Sequence, residues 1–99
     1  MSLAITILGR RYRLRFPRLR GCRGFCDPPD QPNKAIGIDA RLRGREALEV
    51  AIHEALHAAA WEQFSEEWVD RTAKDIAAML WRHDLRERIW PSEADAKEK

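Results

Sequence analysis

The stretch ALEVAIHEALHAAAW, residues 47–61, predicts the central helix of this chain. Apolar or small residues recur in it at intervals of three and four, and they form one stripe: Leu48, Ile52, Ala55 and Ala59. At about 100° per residue, Val50 and Trp61 lie on nearly the opposite side, together with His53 and His57. A helix that is apolar on two sides is covered on both. We therefore expect strands on one side of a helix that begins near Arg45, and a second element over the histidines.

The beginning of the chain predicts a β-hairpin. Residues 4–8, AITIL, are short, apolar and β-branched. Residues 11–16, RYRLRF, alternate charged and apolar side chains with the period of a half-buried strand. This alternation places Tyr12, Leu14 and Phe16 inward and the arginines outward.

Residues 21–34 are rich in glycine and proline and predict a loop. The next four residues, AIGI at 35–38, predict a strand in which Gly37 marks a bulge or a close backbone approach. The two cysteines of the chain, Cys22 and Cys26, lie in the loop, and we expect free thiols there. Two cysteines alone cannot build a structural zinc site, which needs four ligands.

A second helix follows the first after a short connection. Ser65 is a suitable N-cap, and the acidic residues after it suit the positive end of a helix dipole. An apolar stripe then carries the helix to about Arg88: Val69, Ala73, Ile76, Ala77 and Leu80. The predicted fold class is therefore α+β, with a small N-terminal hairpin or sheet packed on an antiparallel pair of helices.

The length of 99 residues bounds the chain to one small domain, which we predict to span residues 1–90. The charged residues 91–99 predict a disordered tail. No apolar run approaches the roughly 20 residues that cross a bilayer, and the first residues do not have the pattern of a signal peptide. We therefore expect a cytoplasmic protein without a membrane partner.

The formal net charge of +2 hides an asymmetry along the chain. Residues 1–45 hold 11 basic and 3 acidic residues, whereas residues 46–99 hold 7 basic and 13 acidic residues. The basic half includes a series of arginines: Arg10, Arg11, Arg13, Arg15, Arg18, Arg20 and Arg23. Such a face is either a solvated strand surface or a surface for an acidic or nucleic-acid partner.

The motif His53-Glu54-Ala55-Leu56-His57 carries the chemistry. Two histidines four residues apart on a helix share one face, and their imidazole nitrogens can meet one metal ion. Glu54 lies about 100° round the helix, where its carboxylate can act as a general base. The pattern HExxH is the signature of zinc metallopeptidases. The alternative is that carboxylates of the neighbouring helix satisfy the two histidines without a metal.

A catalytic zinc site needs a third protein ligand, for which the second helix offers three acids. By helical-wheel arithmetic, Glu66 lies about 60° from Val69 on the apolar stripe, Asp70 about 100° away and Glu67 about 160° away. Glu66 is thus the inward-facing candidate and Glu67 its main rival. Asp70, one turn later, could accept a hydrogen bond from the far nitrogen of either histidine. The alternative for these acids is a solvated first turn that complements the helix dipole.

Residues 48–80 resemble the small HExxH metallopeptidase-like proteins of phages and bacteria, whose fold is a reduced gluzincin, or thermolysin-type, catalytic core. In its full extent the resemblance runs from the loop at Asp27-Pro28-Pro29 to Trp81. It implies zinc as cofactor, His53 and His57 as ligands and Glu54 as general base. In that group the second helix supplies a glutamate ligand and an acid four residues later, a spacing that Glu66 and Asp70 match. His57 and Glu66 are only nine residues apart, which is closer than in the larger peptidases.

The resemblance also implies that residues 36–38 form the edge strand beside the active site, along which a peptide substrate adds as a further strand. The predicted function is therefore zinc-dependent hydrolysis of peptide bonds in a peptide or protein substrate. Groups whose type suits stabilisation of the oxyanion are Tyr12, His83 and the N-terminal arginines. The alternative function is a catalytically inactive peptide- or nucleic-acid-binding module on the same fold.

Overall fold

The computed structural model describes residues 2–82. It contains a four-stranded sheet and two helices, which confirms the predicted α+β class. The elements in chain order are β1 (Ser2–Ile7), β2 (Arg10–Arg15), β3 (Gly24–Cys26), β4 (Ala35–Ile38), α1 (Gly44–Ala59) and α2 (Glu66–Leu80). The sheet packs on one side of α1, and α2 packs against α1. The end of α2 returns to the start of α1, where Trp81 lies beside Gly44, so the helices are antiparallel as predicted.

The strand order is β1-β2-β4-β3. β1 and β2 form the predicted antiparallel hairpin, and Leu8 and Gly9 turn the chain with positive φ angles of 50° and 77°. β4 pairs with β2 in parallel and with β3 in antiparallel orientation. β4 is therefore an inner strand with four buried residues, and the expectation that residues 36–38 form the edge strand is wrong.

The edge strand next to β4 is β3, and β1 forms the other edge of the sheet. β3 lies within the stretch that the sequence predicts as a loop. A segment of three residues among glycines and prolines has no detectable period. Its pairing with β4 makes it a strand, and Phe25 lies opposite Gly37 in that pairing. A side chain at Gly37 would overlap the ring of Phe25. The predicted close approach at Gly37 is thus confirmed.

The core lies between the sheet and α1. Tyr12, Ile36 and Ala58 form its buried cluster, and four partly buried side chains pack against them: Ile5, Ile7, Leu14 and Cys26. Phe16 was expected to face inward, but it follows the last residue of β2 and is 42% exposed. The hydroxyl of Tyr12 is buried and has no hydrogen-bond partner among residues 2–82.

The helix ends differ in how well the sequence predicts them. Ser65 caps α2 as predicted, because its Oγ accepts a hydrogen bond from the Trp68 amide at 3.0 Å. α2 ends at Leu80 rather than near residue 88, and the chain turns at residues 81–82. The rest of the predicted helix, His83 and the predicted tail at 91–99 lie outside the described residues. Within residues 2–82, neither helix has the length and apolar character needed to cross a membrane.

The residues of α1 that are buried most deeply are Val50, Glu54 and Ala58, spaced one turn apart. This row faces the sheet, since Val50 and Glu54 lie against Gly24 of β3 and Ala58 joins the core cluster. The expected stripe of Leu48, Ile52, Ala55 and Ala59 is only partly buried. The sheet therefore packs against a row that contains the glutamate of the HExxH motif.

Asp39 anchors the segment that leads into β3. Its buried carboxylate accepts hydrogen bonds from the Leu19 amide at 3.1 Å and from the Arg41 amide and side chain at 2.9 Å. Its own amide donates to the carbonyl of Arg23 at 2.9 Å. The hydrogen bonds from Arg41 hold the pKa of Asp39 well below its usual range. Asp39 thus fixes the position of Arg23 and of the strand that follows it.

Candidate metal centre

Two histidines of α1 face the first residue of α2. His53 and His57 are one turn apart, and their Nε2 atoms lie 3.2 Å from each other. Glu66 Oε1 lies 2.8 Å from His53 Nε2, and Glu66 Oε2 lies 3.0 Å from His57 Nε2. The Ser65 cap determines where α2 begins and hence where the Glu66 carboxylate lies. The structure thus brings together the three residues that the sequence proposes as ligands.

This arrangement fits a metal ion. One donor atom from each of His53, His57 and Glu66 can be chosen so that all lie within 4.8 Å of one another. Ligand atoms at about 2.0–2.2 Å from one tetrahedral ion are separated by roughly 3.3–3.5 Å, close to the observed separations. Two imidazole nitrogens that face each other at 3.2 Å also need a proton or a cation between them. The group could therefore hold a metal ion, with two nitrogen ligands and one oxygen ligand.

Of the two rival acids, Glu67 lies outside the cluster. Its side chain is 80% exposed, and its carboxylate lies 3.7 Å from the guanidinium of Arg71. The neighbouring Glu66 faces the histidines because residues 66 and 67 project about 100° apart on a helix. Glu67 complements the helix dipole in solvent.

Asp70 lies near His53 but does not form the expected hydrogen bond. Its Oδ1 is 3.8 Å from His53 Nδ1, which is an ion-pair distance and too long for a hydrogen bond. Its Oδ2 pairs with Lys74 Nζ at 3.1 Å, and this contact is the main reason why the pKa of Asp70 is lowered. Asp70 therefore adds negative charge beside the far side of His53 without fixing its ring.

Glu54 lies beside the cluster and is only 8% exposed. Its carboxylate points toward β3 and the cleft, next to Gly24 and Val50. Burial raises the pKa of Glu54; the nearby His53 opposes this shift, and the negative charge of Glu66 adds to it. A carboxylate with a raised pKa next to a metal-ligating group has the properties of a general base.

A cleft of about 180 Å³ opens over these side chains, lined by Arg23, Gly24, Val50, His53, Glu54 and Glu66. Arg23 contributes a positive charge to the lining of this cleft. The Arg23 guanidinium is held by two acids of α1, Glu46 at 3.1 Å and Glu49 at 3.9 Å. The sequence places Arg23 in a series of seven arginines and gives no signal that distinguishes it. Tyr12, another candidate oxyanion donor, lies in the core away from the cleft.

The cysteines are not part of the His53, His57 and Glu66 group, although Cys26 lies near enough to Glu54 to interact with its charge. Cys22 is exposed, Cys26 is partly buried, and both are free thiols as expected. Burial raises the pKa of Cys26 to about 12, and its Sγ donates to the carbonyl of Asp27 at 3.4 Å. A thiol that stays protonated is a poor metal ligand. Trp61, by contrast, lies edge-on to the ring of His57, with 6.5 Å between the ring centroids.

No protein-family model, curated protein or solved structure matches this chain. The case for a function therefore depends on the geometry of the cluster and its cleft.

Proposed function

We propose that this protein is a zinc-dependent metallopeptidase. The observation that carries the proposal is the convergence of His53, His57 and Glu66 beside the buried carboxylate of Glu54 in one cleft. Two imidazoles and one carboxylate form the ligand set of many catalytic zinc sites, and they leave a fourth position open. A protein that only binds a partner has no use for a buried carboxylate in this place, which favours an enzyme over an inactive module.

Each residue of the cluster has a separate role in the proposed hydrolysis. His53, His57 and Glu66 would hold the zinc ion, which would supply a Lewis acid for the scissile carbonyl. Glu54 accepts the proton of the attacking water and returns it to the leaving amine. The upward shift of its pKa suits this role, because a carboxylate with a higher pKa is a stronger base.

Arg23 is the cation best placed to neutralise the oxyanion. Arg23 lines the same cleft as Glu54 and His53, and the ion pair of its guanidinium with Glu46 at 3.1 Å restrains the side chain. Preorganised positive charge at this position stabilises negative charge that develops on the carbonyl oxygen.

The substrate is proposed to be a peptide or protein segment in extended conformation. β3 occupies the edge of the sheet next to the cleft, and within residues 2–82 no strand pairs with its outer side. An extended segment can add to such an edge through main-chain hydrogen bonds. The sequence predicts residues 36–38 as the strand to which the substrate adds, but these residues lie inside the sheet. We therefore propose β3 as that strand. The free thiols fit a reducing compartment, and we propose the cytoplasm as the location.

The first test is metal content. Protein purified without chelator is dialysed against equimolar zinc at neutral pH and analysed by inductively coupled plasma mass spectrometry, beside His53→Ala, Glu66→Gln and the matched control Glu67→Gln. We expect one zinc per chain for the parent and for Glu67→Gln, none for His53→Ala, and an affinity at least about 100-fold weaker for Glu66→Gln. Equal zinc binding by Glu66→Gln and Glu67→Gln, or no zinc in the parent, overturns the proposed site.

The second test is hydrolysis. The zinc-loaded protein is incubated with a library of fluorescence-quenched peptides, and responsive peptides are tested with Glu54→Gln. Cleavage by the parent and its loss in Glu54→Gln, with zinc content unchanged, support the mechanism. Equal cleavage by both proteins shows that Glu54 is not the base.

A further inference from the structure

The sheet has a second face, opposite α1, which we call the outer face. Arg11, Arg13 and Arg15 alternate along β2 with Tyr12 and Leu14, whose side chains contribute to the core. The three arginines are exposed and therefore project from the outer face. Alternate residues of a strand are about 6.6–6.8 Å apart, so the arginines form an evenly spaced row.

Small residues flank this row. On β1 the cross-strand partners of Arg11, Arg13 and Arg15 are Thr6, Ala4 and Ser2, and on β4 Ala35 and Gly37 lie beside Arg13 and Arg15. A groove of about 420 Å³ adjoins Arg11 and Arg13 and is lined by Ala4, Arg11, Tyr12, Arg13, Asn33 and Lys34. Its third cation, Lys34, has its Nζ 5.3 Å from the centroid of the Tyr12 ring. The small side chains beside the row leave the guanidinium groups accessible.

The charges of the outer face are not neutralised within residues 2–82. Ion pairs hold other arginines, for example Arg23 with Glu46, Arg41 with Asp39 and Arg71 with Glu67. In the same part of the chain, no carboxylate lies within 4.0 Å of the outer-face arginines or their basic neighbours: Arg10, Arg11, Arg13, Arg15, Arg18 and Arg20. Like charges held so close repel each other, and a polyanion relieves that repulsion.

The outer face also carries an aromatic ring. Phe25 pairs with Gly37, which lies beside Arg15, and the Phe25 ring covers the Gly37 backbone. Gly24, the preceding residue, faces α1, so Phe25 projects from the opposite side. The ring is partly exposed at the end of the arginine row. A line of guanidinium groups that ends at an aromatic ring is the combination that binds a nucleotide chain.

We propose that the outer face binds a single-stranded nucleic acid, with its phosphates on Arg11, Arg13 and Arg15 and a base on Phe25. The planar guanidinium fork matches phosphate oxygens, and an even row matches a polymer with evenly spaced charges. A bilayer surface fits less well, because the large apolar side chains of β1 and β2, such as Ile5 and Leu14, face the core. An acidic protein segment is the competing ligand that the experiment must exclude.

The test is binding of a fluorescein-labelled 20-nucleotide oligothymidylate, followed by fluorescence anisotropy between 50 and 200 mM NaCl. The triple variant Arg11→Gln/Arg13→Gln/Arg15→Gln removes three phosphate contacts. Each contact on a single strand contributes about 0.7 to the slope of log affinity against log salt, so we expect this slope to fall by about 2. The affinity at 50 mM NaCl should fall by at least about 10-fold.

The matched control removes the same charge from the helical side of the molecule, as Arg45→Gln/Arg71→Gln/Arg82→Gln. These three exposed arginines lie on or next to the helices, and we expect their loss to leave binding within about 2-fold. Phe25→Leu keeps an apolar side chain over Gly37 and should weaken binding by about 5-fold or more, since stacking on one ring contributes about 1–3 kcal/mol. Circular dichroism and the urea unfolding midpoint verify that each variant is folded.

Three results overturn this proposal. The first is equal loss of binding in the two triple variants, which indicates attraction by net charge alone. The second is binding of a 20-residue polyglutamate as tight as that of the oligonucleotide, which indicates an acidic protein partner. The third is no binding by the parent at 50 mM NaCl. None of these results bears on the zinc site, which is on the other side of the sheet.

Discussion

Gly24 is the position where β3 meets α1, the helix that carries His53, Glu54 and His57, and Gly24→Ala tests this contact directly. A Cβ atom at this position would lie 2.7 Å from Val50 Cγ1, 2.9 Å from the Gly37 carbonyl oxygen and 3.1 Å from Glu54 Oε2. Normal carbon–carbon contacts are about 3.5–4.0 Å, so the neighbours must separate by about 1 Å. Only the Glu54 carboxylate is the end of a flexible side chain.

The other two neighbours cannot move easily. Val50 is buried and β-branched in a helix, where one χ1 rotamer dominates. Gly37 is a backbone partner of β3 inside the sheet. We therefore expect β3 to move away from α1, with a loss of about 1–3 kcal/mol in the free energy of unfolding. For a domain of this size, that loss lowers Tm by roughly 4–24 °C. The movement also opens the cleft around Glu54, so peptide cleavage should fall while zinc binding is retained.

The assay is urea unfolding of Gly24→Ala, Val50→Ala and the double variant. Removal of the Val50 methyl groups relieves the shortest contact. The loss in the free energy of unfolding of the double variant should therefore be smaller, by about 1 kcal/mol, than the sum of the losses of the two single variants. Gly21→Ala is a useful contrast, because Gly21 has a φ of 78° and open space around it. It should lose stability through backbone strain while cleavage stays unchanged. Additive effects of Gly24→Ala and Val50→Ala, or a fully stable Gly24→Ala protein, would refute the packing argument.

Four further changes have defined outcomes. Glu54→Gln should keep one zinc per chain and lower kcat by at least about 100-fold, and it should raise the free energy of unfolding in urea because it removes a buried charge. Tyr12→Phe should raise that free energy by about 1 kcal/mol, because the buried hydroxyl has no partner among residues 2–82; a loss of similar size would contradict this. Ser65→Ala should lower the free energy of unfolding by about 1 kcal/mol and weaken zinc binding, because the cap determines where α2 begins. The lowered pKa of Asp39 means that its ionised form stabilises the fold above the pKa of the unfolded chain, about 3.9, and that this contribution is lost as the pH falls below it. Asp39→Asn should therefore be less stable than the parent at pH 7, and the difference should narrow between pH 5 and pH 2; a constant difference would refute the role of the charge.

The local features of the site could be predicted because they depend on spacing within one helix. His53 and His57 share a face whenever the segment is helical, and Ser65 caps α2 through a contact with a residue three positions away. The α+β class follows in the same way from strand alternation and helical stripes. By contrast, the three-residue strand β3 could not be predicted, because only its pairing with β4 makes it a strand.

The sequence by itself determined the motif, the hairpin, the two helices and the set of acids that could complete the site. Only the tertiary structure decided which of these residues meet. Glu66 meets the histidines, and Glu67 does not, because α2 packs against α1 with the Glu66 side turned toward it. Arg23 enters the cleft because Asp39 holds the segment before β3. The burial that raises the pKa of Glu54 likewise comes from β3, 28 or more residues earlier in the chain. Contacts of this kind join groups that are distant in sequence, and no local period encodes them.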